Sequence, residues 1–151
     1  MDFVIENKDI KGAHPNTAQI IMEAEGKKAM KIQAYSIGGG RIRVSKLDGI
    51  DVNFSGESNT LIVRNVDQPG RIGEVSAALS KENVNIATMT VFRDKRGGFA
   101  VMVVETDQIV SEEAIKTLES KEGILKVIFL KAMELRFRRI GGSKSVCHIN
   151  Q

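Results

Sequence analysis

The residues best suited to chemistry lie in one polar turn, Asn65–Gly73, between an apolar segment and an amphipathic one. A helix that begins here exposes unpaired N–H groups at the positive end of its dipole, and such groups hold a carboxylate. Asn65 and Asp67 are two residues apart at the end of a predicted strand, so their side chains point to the same side. Both are suited to bind an ammonium or hydroxyl group. The turn therefore predicts a site for a small zwitterion such as an amino acid.

The same turn also has a purely structural interpretation. Asp67 belongs to the residue types that cap helices, and the pair Pro69 and Gly70 is typical of a turn that leads into a helix. The spacing alone leaves both interpretations open and favours the structural one.

The cysteine content argues against metal binding by this chain. Cys147 is the single cysteine and is followed by His148, whereas an iron–sulfur cluster needs several thiolates and zinc needs a second pair of ligands. A single cysteine fits a reducing compartment. The longest apolar run, Ile124–Leu130, is far shorter than the roughly 20 residues that span a bilayer. We therefore expect a cytoplasmic protein with no metal and no membrane contact.

The charge distribution argues against a nucleic-acid partner. The chain has 151 residues and a net charge of +3. Residues 131–151 contain five basic residues and one glutamate, so the first 130 residues carry a net charge of about −1. The basic residues thus belong to a terminal segment, and aromatic residues, at 5%, are too few for a base-stacking surface. Residues 132–151 lack an apolar period and are expected to form a disordered tail.

The second half of the chain, residues 58–131, alternates strands and helices in the order βαββαβ. The predicted strands are Thr60–Asn65, Asn85–Arg93, Phe99–Thr106 and Ile124–Leu130, and the predicted helices are Arg71–Lys81 and one with Ser111 as its N-cap. Ile72, Val75, Ala78 and Leu79 share one face of the first helix. Gly123 is placed for a left-handed conformation after the second helix. This order predicts a ferredoxin-like α+β fold with the strand Asn85–Arg93 at the sheet edge.

Residues 1–57 are predicted to be β-rich. The predicted strands are Gln19–Glu25, Lys28–Ser36, Arg41–Lys46 and Ile50–Phe54. They suggest two hairpins joined by Ile37–Gly40, with one apolar face and no helix to cover it. Because such a meander is marginal by itself, this segment is interpreted as a partial domain.

Two segments of the second half resemble the ACT domain, a regulatory module that binds amino acids in metabolic enzymes. They are Leu61–Gly70 and Asn83–Ala87. The resemblance covers about residues 59–131 and implies an amino-acid effector and a side-by-side homodimer. The implied ligand contacts are the side chains of Asn65, Asp67 and Asn85 and the backbone N–H groups of Gly70, Arg71 and Ile72. Some amino-acid-binding members have histidine where this chain has Asn65, so the motif leaves the identity of the effector open.

Two upstream motifs resemble the β chain of the bacterial iron–sulfur L-serine dehydratase. They are His14–Ala18 and Ser36–Gly40. The resemblance implies an ammonia-lyase that converts L-serine to pyruvate and ammonia, with the iron–sulfur cluster and the catalytic base on a companion α chain. It also implies that residues 1–57 are the second half of a substrate-binding domain whose first half is absent. The residues implied to face the α chain are His14, Asn16, Thr17, Gly38, Gly39 and Gly40.

Other interpretations remain open at this stage. The His14 ring also fits a simple turn contact, and Gly38–Gly40 also fits a sharp bend between hairpins. The chain as a whole also fits a free-standing ACT-type amino-acid sensor that regulates another enzyme. A nucleic-acid binder that uses the basic tail is a third class, and it requires an affinity that depends on salt.

Overall fold

The computed structural model describes residues 16–24 and 27–132, and this part contains eight strands and two helices. The strands are β1 Thr17–Ala24, β2 Lys27–Gly38, β3 Arg41–Leu47, β4 Ile50–Phe54, β5 Asn59–Val66, β6 Ile86–Arg93, β7 Phe99–Thr106 and β8 Ile124–Leu130, and the helices are α1 Arg71–Lys81 and α2 Glu112–Glu119. They form two antiparallel four-stranded sheets. Neither helix is long and apolar enough to cross a membrane. His14 and the predicted tail beyond Ala132 lie outside the described residues.

The N-terminal sheet is the predicted meander. Its strands follow the chain order β1-β2-β3-β4, and the segment predicted to join the two hairpins forms a further hairpin turn at Gly38–Gly40 between β2 and β3. Ser36 pairs with Ile42 and Gly38 pairs with Arg41 across this turn. The reversal is possible because all three glycines have positive φ values, +88°, +65° and +76°, which other residues rarely adopt.

The second sheet has the predicted ferredoxin-like arrangement. Its order is β6-β7-β5-β8, and β6 pairs with β7 alone, so β6 is the predicted edge strand. The hydroxyl of Ser111 accepts a hydrogen bond from the N–H of Ala114 at 3.0 Å and caps α2 as predicted. Gly123 has the predicted positive φ, +79°, although a further turn separates it from the end of α2.

Ile72 differs in burial from the three residues that share its predicted helix face. Val75, Ala78 and Leu79 of α1 are buried against the sheet, but Ile72 is 53% exposed. The first turn of α1 places the guanidinium of Arg71, and not the side chain of Ile72, against the backbone at Gly123. The apolar face of α1 therefore begins one turn later than its sequence period indicates.

The two sheets are stacked, and their contact provides the second apolar core of the chain. β3 and β4 contribute Val44, Leu47, Ile50, Val52 and Phe54, and the facing strands contribute Ile62, Val101 and Val103. The face of the second sheet that is not covered by helices therefore covers the apolar face of the N-terminal sheet. The second sheet thus takes the place of the helix that residues 1–57 lack for covering their apolar face.

One ion pair joins the two sheets beside this core. Arg64 of β5 places Nη1 2.7 Å from Oδ2 of Asp48, and both side chains are largely shielded from solvent, at 26% and 16% exposed. Asp48 lies in the β3–β4 turn with φ +48° and also accepts a hydrogen bond from the N–H of Lys31 at 2.9 Å. The ring of Phe99 lies 5.6 Å from the Arg64 guanidinium carbon. Asp48 therefore fixes the N-terminal sheet to β5.

We expect Arg64→Met to lower the free energy of unfolding by about 1–2 kcal/mol, because it leaves a half-buried carboxylate without its charged partner. Urea denaturation of the full chain measures this value. The matched control is Lys46→Met, which removes the Lys46–Asp51 pair, where the side chains are 45% and 83% exposed. An exposed pair contributes little, so equal losses in the two variants would contradict a stabilising role for the pair between the sheets.

Candidate functional site

The loop between β5 and α1 forms an uncapped helix start. Gly70 is the N-cap residue with φ +90°, and no side chain accepts a hydrogen bond from the first turn. The structural interpretation in which Asp67 caps α1 is therefore wrong. The leading N–H groups of α1 remain available to a ligand, and the positive end of the helix dipole favours an anion at this position.

Asn65 presents a buried acceptor next to this helix start. Its side chain is 3% exposed, and Nδ2 donates a hydrogen bond to the carbonyl of Val66 at 2.8 Å. Oδ1 is buried and has no hydrogen-bond partner among the described residues. Because a buried acceptor without a partner is costly, this oxygen is suited to a donor that the free chain lacks, such as an ammonium group.

Asp67 is oriented toward the hairpin turn between β6 and β7. Its Oδ2 accepts a hydrogen bond from the N–H of Gly97 at 3.0 Å, and Nη1 of Arg93 lies 3.3 Å from the same oxygen. The N–H of Asp67 donates to the carbonyl of Gly98 at 2.9 Å. These contacts attach the loop to the turn, while the Asp67 side chain remains 19% exposed.

The turn itself is held by Asp94. Its Oδ1 accepts hydrogen bonds from the N–H groups of Phe99 at 2.8 Å and Lys95 at 2.6 Å. The bond from Phe99 is the main cause that lowers the pKa of Asp94 below its usual value. The carboxylate therefore stays charged and fixes the turn that contacts Asp67.

Arg71 has a role that the sequence did not indicate. The resemblance implies only its backbone N–H at the site, but its side chain is 14% exposed and anchors the loop. Nη1 lies 2.8 Å from Oε2 of Glu74, and Nη2 donates to Oε1 of Gln68 at 2.9 Å. The guanidinium also lies against Gly123, whose carbonyl accepts a hydrogen bond from the N–H of Val66 at 2.8 Å. The glutamate three residues after Arg71 is the one sequence signal for this arrangement.

Asn85 lies at the opposite end of the sheet. The register pairs Ile86 with Thr106, whereas both Arg93 and Asn65 pair with Ala100. Nδ2 of Asn85 donates to Oδ2 of Asp107 at 2.6 Å. In a single chain, Asn65 near the end of β5, Asp67 and the N–H groups of Gly70, Arg71 and Ile72 thus follow one another along the connection into α1, and Asn85 lies apart from them at the other end of the sheet.

The described residues of the second predicted set, which exclude His14, lie at one corner of the N-terminal sheet. The N–H of Ser36 donates to the carbonyl of Asn16 at 3.1 Å, and Thr17 pairs with Tyr35. The N–H of Gly38 donates to the Ser36 hydroxyl at 3.3 Å. Asn16 and Thr17 therefore lie beside the strand that leads into the turn Gly38–Gly40.

The side chains that bind metals are not clustered in the part of the chain that the structure describes. The described residues contain no group of three or more His, Cys, Asp or Glu side chains that could hold a metal ion. Cys147, the single cysteine of the sequence, lies outside them. The residues of this chain do not fit an iron–sulfur cluster, which needs several thiolates.

Comparison with known proteins identifies the second half of the chain. Residues 59–123 match the family model of the ACT domain, and this part of the chain is an ACT domain. The chain as a whole resembles β chains of L-serine dehydratase. It is 32% identical over 127 residues to the probable L-serine dehydratase β chain of Bacillus subtilis (strain 168), which covers 84% of this chain and 57% of that relative.

Two further relatives are informative. The L-serine dehydratase β chain of Peptoniphilus asaccharolyticus is 28% identical over 99 residues, which cover 66% of this chain and 45% of that protein. A D-3-phosphoglycerate dehydrogenase of Methanocaldococcus jannaschii is 32% identical over 128 residues, which cover 82% of this chain and 23% of the enzyme. The chain thus spans little more than half of the Bacillus relative and a smaller part of the others. The resemblances expected from the sequence motifs are confirmed.

Proposed function

We propose that the chain is the regulatory and interface portion of an L-serine dehydratase β chain, in which the ACT domain senses an amino acid. The observation that carries this proposal is the match to the Bacillus β chain, which includes 84% of this chain and 57% of that relative. An alignment of 127 residues is too long for the ACT domain alone and extends into the N-terminal sheet. The sequence similarity therefore includes residues of the N-terminal sheet as well as the ACT domain.

A second candidate is the regulatory region of a D-3-phosphoglycerate dehydrogenase. The Methanocaldococcus enzyme matches with the same 32% identity over 128 residues, so the N-terminal sheet does not by itself separate the two enzymes. The β-chain assignment is preferred because the chain covers 57% of the Bacillus β chain and only 23% of the dehydrogenase. A free-standing sensor is supported less, since the similarity extends beyond the ACT domain.

The free acceptor of Asn65, the carboxylate of Asp67 and the uncapped start of α1 support an amino-acid effector. In the proposed complex, the effector carboxylate binds the leading N–H groups of α1. Its ammonium group binds Oδ1 of Asn65 and the side chain of Asp67. L-serine is the first effector to test, because the β-chain relatives are named for a dehydratase of L-serine.

The reaction itself is assigned to the partner subunit. L-serine would be converted to pyruvate and ammonia on a companion α chain, which would also supply every ligand of the iron–sulfur cluster. The corner formed by Asn16, Thr17 and Gly38–Gly40 is proposed to face that chain. Because glycine has no side chain and, among the described residues, nothing but the chain neighbours lies within 4 Å of a Cβ added at these three positions, a partner can approach the backbone there closely.

Reconstitution tests the proposal. We expect the purified chain to release no pyruvate from L-serine, before or after anaerobic cluster reconstitution, and to co-purify with a cysteine-bearing α chain of an L-serine dehydratase. Pyruvate release by the isolated chain would contradict the assignment of the active site to the α chain. Failure to associate with the α chain would contradict the β-chain assignment and favour the dehydrogenase alternative.

A further inference from the structure

Arg93 occupies a position that the effector is expected to use. It is the last residue of β6, its side chain is 55% exposed, and its Nη1 lies 3.3 Å from Oδ2 of Asp67. Asp67 is the one carboxylate of the effector loop between β5 and α1, and in the free chain its charge is already paired with a cation. An incoming ammonium group meets this cation at the same side chain.

We infer that Arg93 is a built-in competitor for the ammonium group of the effector and sets the affinity of the ACT domain. This inference rests on the proposed function, because it assumes that Asp67 binds an amino acid. The other end of a bound zwitterion lies at the N-terminus of α1, where its carboxylate is held. Arg93 therefore acts on the ammonium end, where a second positive charge is repulsive.

The size of the effect follows from the exposure of the pair. Asp67 is 19% exposed and Arg93 is 55% exposed, so solvent screens the interaction and the ion pair is of the weak surface kind. Its removal therefore favours ammonium binding by a factor of about two to five. The competition tunes the sensor without preventing binding.

Isothermal titration calorimetry of the full chain with L-serine tests the inference. We expect Arg93→Gln to bind L-serine about two- to fivefold more tightly than the wild type. Arg93→Lys keeps the positive charge and is expected to show no gain. The matched control is Arg96→Gln, which removes the same charge from an exposed residue of the β6–β7 turn and leaves the affinity unchanged. Asp67→Ala is expected to lose binding.

The outcomes separate this inference from the proposed function. If the wild type binds L-serine and Arg93→Gln binds it equally or more weakly, Arg93 is not a competitor and the inference fails while the sensor function stands. A weaker Arg93→Gln variant would place Arg93 on the effector carboxylate. If neither the wild type nor Arg93→Gln binds any of the common amino acids, the sensor function fails and the inference fails with it. Sedimentation of each variant at the calorimetric concentration shows whether the change in β6 alters the oligomeric state.

Discussion

Replacing Gly123 by alanine is expected to lower the free energy of unfolding by about 2–3 kcal/mol, in two separable parts. Gly123 has φ +79°, and an L-residue in this left-handed region costs about 1–2 kcal/mol. An added Cβ would also lie 2.7 Å from Nη2 of Arg71. The guanidinium would have to move and would lose its contacts with Glu74 and Gln68, which adds about 1 kcal/mol.

Two variants separate these parts in urea denaturation. Gly97→Ala is the control for backbone strain, because Gly97 has a similar φ of +72° but nothing within 4 Å of its added Cβ. In an Arg71→Ala background, Gly123→Ala is expected to cost no more than Gly97→Ala. If Gly123→Ala and Gly97→Ala are equally destabilising in the wild-type background, the approach of Arg71 to Gly123 contributes nothing.

This contact also links stability to the proposed site. Arg71 holds the effector loop against the start of β8 from inside the first turn of α1. Displacement of its guanidinium releases Gln68, which lies in the middle of that loop. We therefore expect Gly123→Ala to disorder the effector loop as well as to lower the free energy of unfolding. Preorganised loops bind more tightly because less ordering is needed on binding.

Features of the ACT domain that depend on local sequence were predicted well. The bounds of α1, the Ser111 cap and the positive φ of Gly123 all follow from neighbouring residues, since helix caps and turns are determined within a few positions. The edge position of β6 follows from the βαββαβ order alone. The helix bounds, the cap and the turn thus depend on residues that are close in sequence, whereas the edge position depends on the order of the elements.

Features that depend on tertiary contacts were not predicted. The stacking of the N-terminal sheet on the ACT sheet brings Val44 and Phe54 near Val101, and no periodicity reports which apolar faces meet. The contact of Asp67 with the β6–β7 turn and that of Arg71 with the backbone at Gly123 join residues that are far apart along the chain.

The free edge of β6 leads to the last prediction. β6 pairs with β7 alone, and a long edge strand with apolar residues invites pairing with another chain. Two copies related by a two-fold axis would pair their β6 strands antiparallel and cover both edges. This arrangement would place the Asn85 end of one strand beside the Arg93 end of the other. Because Arg93 contacts Asp67, Asn85 of one subunit would approach the effector loop of its neighbour.

We expect the full chain to sediment at micromolar concentration as a dimer with twice its mass of 16.6 kDa. Thr90→Lys is expected to weaken dimerisation at least about a hundredfold, because it places two like charges near the two-fold axis, where such a juxtaposition costs several kcal/mol. The control is Thr117→Lys, the same substitution at an exposed position of α2, and it is expected to leave the dimer intact. A monomeric wild type, or a Thr90→Lys dimer as tight as that of Thr117→Lys, would show that the β6 edge is not the interface. Asn85 would then have no route to the effector loop, and the effector site would be confined to the residues of one chain.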